Sequence, residues 1–408
     1  MKPAIVLSTH VMGLSVIRGL GTMGVPVIAV CYDKQDMGYV SRYVKETIFA
    51  PAPDKLEDQF VDVLVKAADR FGGGMLIPAN DATLVAVSRH KSLLEHYYTV
   101  ACTDWEITEK VIDKKYTYAL ADAVGVPAPK RVVPQSVEHV KLFAQTAQYP
   151  CLVKPTQVHL YYALFREKMA KVHDFDHMLA AYQRAADAGL EVMLQEWIPG
   201  DDAHGVSYHS YFWNREALLE FTAAGLRKAP PEIGSPRLML SMDIPEVIEP
   251  GRKILQALGY YGFSCTEFKQ DSRDGVYKLM EINGRHSMAE SLDRRCGINF
   301  PWLEYKHLMQ GELPSPTSFE TGVYWIHLTT DVAYSLKYRK QERYSLKQYI
   351  EPYLRRHTFA ILDLRDPRPF FQRGLDAIRR VVEFVRTKMR RSRKPDTEAE
   401  TKSQASLG

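Results

Sequence analysis

The chain has 408 residues, 46% of them hydrophobic, which is enough for two or three domains with cores of their own. Five singly placed cysteines argue against a disulfide framework, and no window approaches the roughly 18 apolar residues of a membrane span. The net charge of +4 is uneven, because residues 371–394 hold nine Lys/Arg against two Asp/Glu. We therefore expect a cytoplasmic protein whose basic character belongs to one segment.

Strands and helices alternate over the first hundred residues, as in a parallel, doubly wound sheet. The run AIVLST precedes a helix and a second strand, VPVIAVCYD, and MLIPAND is a later strand before another helix. His10, Asn80 and Asp81 follow strand ends, where such sheets bind ligands. We predict a domain over 1–103 in which these three residues bind substrate, with loop capping as the alternative. The first turn, STHVMG, lacks the G-x-G-x-x-G of a dinucleotide site.

Two lysines further along the chain are placed where a bound anion would stabilise them. Lys114 lies in the first turn of a helix that Asp113 caps and Gly125 ends, and a cation there opposes the helix dipole. Lys154 ends the apolar strand QYPCLVKP. Surface charge is the alternative explanation for each lysine.

Two later strands also end in polar or charged residues. The strand EVMLQEWIPGDD breaks at its Pro-Gly pair, and LLEFTAAGLRK ends on Arg227 and Lys228. These two cations are candidates for contacts to phosphates or to an acyl group, and solvated surface charge is the alternative. The mixture of strands and helices over 104–312 predicts an α+β body.

The stretch TEFKQDSRDGVYKLMEINGR predicts a hairpin that turns at its Asp-Gly pair. Glu267 would lie opposite Glu281, with Asn283 on the same face and with Met280 and Ile282 pointing into the core. Like charges directly opposed across strands are destabilising, so a cation is expected between them. Two carboxylates and an amide oxygen suit a hard divalent cation.

The order of these features resembles the ATP-grasp superfamily over residues 1–312, and within it the carboxylate–amine ligases that include D-aspartate ligases. The resemblance implies an α/β plus α+β architecture, in which a doubly wound pre-ATP-grasp domain precedes the ATP-grasp domain. It also implies a ligase that uses ATP and Mg²⁺, or Mn²⁺, to activate a carboxylate as an acyl phosphate and join it to an amine. Both substrates would be small molecules.

The resemblance assigns roles to individual residues. It makes Lys114 and Lys154 phosphate ligands, and Arg227 is added to the ATP site. The residues matched to the adenine hinge, followed by the one matched to the ribose, are Glu196, Trp197, Ile198 and Asp202. The metal ligands would be Glu267, Glu281 and Asn283. Arg285 would hold the substrate carboxylate and the developing acyl phosphate, with Lys228 as a second catalytic cation. Asp81, His10 and His286 are candidates for the base that deprotonates the amine.

One segment departs from the resemblance. The loop after Lys154, TQVHLYYALFREKMAKV, contains no glycine where many relatives cradle phosphates with backbone N–H groups. His159, Arg166 and Lys168 are candidates to replace those contacts. The alternative hypothesis is a catalytically degenerate nucleotide sensor or scaffold, recruited to an anionic surface by its basic tail.

The segment 313–394 is predicted to be a C-terminal extension that ends in a basic amphipathic helix, followed by a disordered tail over 395–408. For the helix within 371–394, packing on the body and docking on the inner membrane surface are both considered. Nucleic-acid binding is not expected, because no aromatic platform accompanies the charge. A homodimer is also considered.

Overall fold

The computed structural model describes residues 1–33, 36–155, 161, 164–167 and 169–376. Within them the chain forms three β-sheets of five, four and seven strands. The predicted combination of an α/β domain with an α+β body is confirmed.

The first sheet is parallel and has the strand order β3-β2-β1-β4-β5. Its strands are β1 (Ala4–Leu7), β2 (Val27–Cys31), β3 (Val44–Phe49), β4 (Met75–Pro78) and β5 (Thr99–Val100). Its helices are α1 (Val11–Gly21), α2 (Glu57–Phe71), α3 (Asp81–Arg89) and α4 (Lys91–Leu94). A short 3₁₀ turn covers Gly38–Val40. The order reverses at β1 and β4, so their carboxyl ends form the switch point at which such sheets bind ligands.

The second sheet is antiparallel, with the order β6-β9-β7-β8. Its strands are β6 (Arg131–Val132), β7 (Cys151–Pro155), β8 (Ala170–Val172) and β9 (Val192–Glu196). The helices before and among them are α5 (Trp105–Ile112), α6 (Lys114–Val124), α7 (Val137–Thr146) and α8 (Phe175–Asp187).

The third sheet has the order β14-β13-β10-β11-β12-β15-β16. Its strands are β10 (Gly205–Trp213), β11 (Glu216–Ala229), β12 (Ser235–Ser241), β13 (Gly262–Gln270), β14 (Tyr277–Asn283), β15 (Tyr324–Ile326) and β16 (His357–Phe359). The associated helices are α9 (Ile248–Leu258), α10 (Glu290–Arg295), α11 (Phe300–Gln310), α12 (Leu328–Glu342) and α13 (Leu346–Leu354), with 3₁₀ turns at Asp202–His204 and Pro245–Val247. Residues 368–376 are helical.

Local sequence explains how α6 begins and ends. The Asp113 carboxylate accepts the backbone N–H of Lys115 at 2.9 Å, and Gly125 ends the helix in the left-handed region at a φ of +67°. A side chain at that φ would be strained, so glycine fits the position. The Asp113 cap fixes Lys114 as the first residue of the helix, and Gly125 fixes its end.

The C-terminal extension is built into the body of the protein. Its strand β15 pairs with β12, and Trp325 is fully buried in a core shared with Leu14 of α1 and Phe221 of β11. Asp366 is also fully buried and accepts hydrogen bonds from Arg18 at 3.0 Å and from Ser41 at 2.7 Å. The extension therefore joins the third sheet to the N-terminal domain.

The predicted hairpin forms as β13 and β14, with one difference on the core side. Glu267 lies opposite Glu281 as predicted, but an irregularity follows, so that Phe268 pairs with Leu279. Met280 is the extra residue and is only partly buried. The prediction that it points into the core was wrong, because Leu279 takes that place.

Candidate active site

The paired strands β13 and β14 bring two carboxylates together. Burial, and next the Glu281 carboxylate, raise the pKa of Glu267 to about 7. Burial would also raise the pKa of Glu281, but the ammonium of Lys114 at 2.5 Å outweighs burial and lowers that pKa. The pair is thus short of positive charge on the Glu267 side. This is the environment in which a divalent cation would stabilise both carboxylates.

The amide of Asn283 completes the set of possible metal ligands. Its nitrogen donates to Glu267 at 3.3 Å and to Glu281 at 3.4 Å, and its oxygen accepts from Arg285 at 3.0 Å. Across the described ranges, no three His, Cys, Asp or Glu side chains converge in a way suited to a metal. A metal at the hairpin would therefore need the Asn283 oxygen as well as the two carboxylates.

Lys114 and Lys154 reach this region from different elements. Burial disfavours the charge of Lys114, but Glu281 outweighs it and raises the pKa of that lysine. Lys154 is the next-to-last residue of β7 and donates to Gln195 at 3.0 Å. Burial, with the nearby Lys114 ammonium, lowers the pKa of Lys154 to about 7. An anion between the two lysines would relieve this repulsion.

Arg285 links the hairpin to the N-terminal domain. Its guanidinium donates to Asp81 at 2.8 Å, across 204 residues of sequence, and also to Asn283. Asp81 is the first residue of α3, at the carboxyl end of β4. Two residues predicted to act on the substrate therefore meet at the border of the two domains.

The predicted adenine hinge lies at the end of β9. The buried Glu196 side chain accepts from Arg273, in the turn of the hairpin, at 2.6 Å, and Ile198 is also buried. Two lysine ammonium groups lie near the Trp197 ring, Lys171 at 3.9 Å and Lys269 at 4.7 Å from the ring centroid. This segment joins the second sheet to the third.

Asp202 and Arg227 are already bound to the protein itself. Both oxygens of Asp202 accept backbone N–H groups, from Lys228 at 2.7 Å and from Glu232 at 2.8 Å. Arg227 is buried and donates to Asp331 of the C-terminal extension at 3.0 Å. The structure thus gives Asp202 a loop-stabilising role and pairs Arg227 with the C-terminal extension. Their predicted contacts with ATP stay predictions that would require these bonds to rearrange.

His286 is enclosed by the protein. It is 2% exposed, and its two ring nitrogens contact Glu290 at 2.9 Å and Glu304 at 3.1 Å. Burial opposes its charge, but the two carboxylates raise the pKa of His286 to about 10. Its predicted role as a base or substrate ligand stays a prediction that would require these two contacts to break.

His10 and Asn80 occupy the ends of helices at the switch point. His10 precedes α1, and burial, followed by the Arg373 charge, lowers its pKa. The Asn80 side chain caps α3 by accepting the N–H of Thr83 at 3.0 Å, and it contacts Tyr32. The loop-capping alternative thus holds for Asn80, while His10 makes no capping bond with its side chain.

Two residues of the site were missed by sequence reasoning. Gln195 holds Lys154, and Lys269 lies beside Trp197, with burial and then Lys228 lowering the pKa of Lys269 to about 8. Strand alternation could have found Lys269, since it follows Glu267 by two residues and shares its face. No local sequence pattern predicts that Gln195 belongs to the site, because its partner Lys154 lies on another strand.

Two predictions fall wholly or partly outside the described residues. Of the loop after Lys154, His159 and Lys168 lie outside them, and Arg166 is described with a φ of +57°. Of the predicted basic helix over 371–394, the part from residue 377 onward lies outside them, as does the predicted disordered tail. The domain boundaries also stay predictions.

Comparisons with known proteins agree with this architecture. The chain is 24% identical over 269 residues to a D-aspartate ligase of Enterococcus faecium, covering 61% of this chain and 63% of that protein. It is 25% identical over 220 residues to a D-alanine–D-alanine ligase of Stutzerimonas stutzeri, covering 47% and 62%. Its fold matches the biotin carboxylase of Campylobacter jejuni with a TM-score of 0.64 at 17% identity, over 79% of this chain and 74% of that one. The chain has the fold of ATP-grasp proteins.

The extent of these matches determines how much of the relatives' function can be transferred to this chain. No family model matches the chain. The match spans less than two thirds of each of these two ligases, so their reactions are not transferred with the fold. Among the described residues, no helix has the length and apolar character needed to cross a bilayer.

Proposed function

We propose that this ATP-grasp protein is an ATP- and Mg²⁺-dependent ligase that joins a carboxylate to an amine and releases ADP and phosphate. The observation that carries the proposal is the convergence of the Glu267–Glu281 pair with Lys114, Lys154 and Arg285. Relatives named as ligases of D-aspartate and D-alanine support the same class of reaction.

The arrangement fits phosphoryl transfer to a carboxylate. Such a step brings two anions together, so catalysis depends on fixed positive charge and in-line positioning. Lys114 and Lys154 would contact the phosphates, and Arg285 would hold the attacking carboxylate at the domain border. The carboxylate oxygen forms a bond to the γ-phosphorus, while the bond from that phosphorus to the β,γ-bridging oxygen breaks and ADP leaves.

The second step forms the amide. The amine nitrogen attacks the carbonyl carbon of the acyl phosphate, phosphate leaves with the electron pair of the C–O bond, and the nitrogen loses a proton. Asp81 and His10 are the remaining predicted bases, since His286 is enclosed. Asp81 is 58% exposed and lies against Arg285, where the carbonyl would sit.

The donor set at the hairpin fits a divalent cation. Glu267, Glu281 and the amide oxygen of Asn283 would hold it, after the Asn283 oxygen leaves Arg285. When bound, Mg²⁺ would neutralise charge on the transferring phosphates. The raised pKa of Glu267 is consistent with this role, because an uncompensated carboxylate gains most from a nearby cation.

The test is ADP release from purified protein with ATP, Mg²⁺ and a panel of amino acids, hydroxy acids and amines, with products identified by mass spectrometry. We expect ADP release that needs both an acid and an amine, with a matching amide product. AMP as the product, or no turnover with any pair while calorimetry shows ATP binding, would contradict the proposal. The second result would favour the nucleotide-sensor hypothesis.

A further inference from the structure

The helices α12 and α13 of the C-terminal extension expose apolar stripes to solvent. Val332 and Leu336 are four residues apart on α12, and Leu346, Ile350 and Leu354 repeat at the same spacing on α13. Residues four apart share a helix face. Leu336, Leu346 and Leu354 are 75%, 71% and 79% exposed. We call these five residues the extension face.

The acidic side chains of the same two helices all pair with arginines. Asp331 and Glu342 bind the buried Arg237, and Glu351 pairs with Arg355. Four exposed cations on the helices and in the turn between them form no side-chain ion pair in the part of the chain that the structure describes. These four exposed cations are Arg339, Lys340, Arg343 and Lys347.

Exposed leucines together with unpaired cations indicate which kind of ligand would bind the extension face. A two-fold dimer would place each patch against its own copy and bring like charges together. A nucleic acid would satisfy the cations but leave the leucines in water. The head groups and acyl boundary of an anionic bilayer would satisfy both.

We propose that the extension face binds the surface of a membrane containing anionic phospholipid, with Leu346, Ile350 and Leu354 inserted and the cations on the phosphates. The contact is peripheral, at the level of the head groups. Arg227 connects α13 to β11, because it donates to the backbone carbonyl of Gln348 at 2.5 Å. Binding would thus hold the third sheet close to the membrane surface.

The test is vesicle flotation of the full chain. We expect flotation with vesicles of mixed phosphatidylglycerol and phosphatidylcholine and none with phosphatidylcholine alone. Leu346→Ser, Ile350→Ser and Leu354→Ser together should weaken binding by roughly 100-fold, because each removes a partly inserted apolar side chain. Lys340→Glu with Lys347→Glu should weaken it by roughly tenfold.

The matched control replaces three exposed leucines elsewhere, by Leu93→Ser, Leu142→Ser and Leu313→Ser. It should float like the unchanged chain, and thermal unfolding should show that every variant is folded. Unaltered flotation of the first triple variant, equal binding to both vesicle types, or no binding to either would overturn the proposal. So would a dimer in light scattering that the first triple variant converts to monomer. None of these outcomes depends on ligase activity.

Discussion

The β13–β14 hairpin and the contact between β11–β12 and the C-terminal extension each bring together two carboxylates, but they differ in how charge is balanced. In the extension, Asp331 accepts from Arg227 at 3.0 Å and from Arg237 at 2.5 Å, and Tyr353 donates to it at 2.7 Å. In the hairpin, the Glu267 carboxylate accepts from Asn283 at 3.3 Å, and its pKa is raised.

The difference separates a structural cluster from a functional one. Buried carboxylates that are fully bonded hold elements together, whereas a pair left short of positive charge costs stability that a bound ligand would restore. The following experiments test this contrast, beginning with the largest expected effect.

Replacing Glu281 should abolish turnover. Glu281→Gln removes the carboxylate that would hold the metal and that pairs with Lys114, and we expect ADP release to fall by about 1,000-fold. The free energy of unfolding should change little, because repulsion from Glu267 is lost together with the Lys114 pair. Glu220→Gln is the control, since Glu220 lies on the same sheet as the hairpin and contacts Arg252 of α9. Loss of activity in both variants would remove the special role of the hairpin.

Replacing Asp331 should have the opposite profile, with a large loss of stability. Asp331→Asn leaves Arg227 and Arg237 without their shared negative charge, and we expect the free energy of unfolding to fall by about 3 kcal/mol. Denaturant unfolding measures it. The control Asp122→Asn removes a carboxylate that is 65% exposed and pairs with Arg131, and it should cost under about 1 kcal/mol. Equal losses in the two variants would contradict the comparison.

The charged groups at the hairpin should also make the stability of the protein depend on pH when no divalent cation is present. The folded pKa of Glu267 is raised from 4.5 to about 7, so stability present below 4.5 is lost as pH rises to about 7. The folded pKa of Lys154 is lowered from 10.5 to about 7, so stability returns between about 7 and 10.5. Thermal unfolding should therefore show a minimum near pH 7.

Matched variants separate the two limbs of that curve. Glu267→Gln should flatten the acidic limb alone, and Lys154→Met the alkaline limb alone. Binding of Mn²⁺ to the unchanged protein, followed by electron paramagnetic resonance, should tighten as pH rises through about 7, since protons compete for Glu267. If Glu267→Gln leaves the dependence of thermal stability on pH unchanged, the charge of Glu267 is already balanced by neighbouring cations.

The smallest effect is expected at the domain border. Arg285→Lys keeps the charge but loses the planar fork, and we expect KM for the acid substrate to rise about tenfold. The melting temperature should hardly change, because the partner Asp81 is 58% exposed. The control Arg295→Lys changes an exposed pair with Glu320. A rise in KM for the amine alone would indicate that Arg285 contacts the amine substrate and not the acid.

Much of the site could be predicted because its geometry is local. Strand alternation and the turn signal place Glu267 opposite Glu281, and capping signals place Lys114 at the start of α6. The extra residue at Met280 could not be predicted, since a bulge changes no pattern until the partner strand is fixed. His286 could not be assigned either, because Glu304 comes from a later helix.

The sequence by itself determined the elements of this protein, the facing of Glu267 and Glu281 in its hairpin and the residue types at its strand ends, because periodicity, caps and turns act over a few residues. Tertiary structure alone decided that Arg285 meets Asp81, that Arg227 turns to Asp331, and that β15 and β16 complete the third sheet. The two arginine contacts join residues more than 100 positions apart, and β15 pairs with β12 over more than 80 positions. Their pairing depends on how whole layers pack, and no local pattern encodes it.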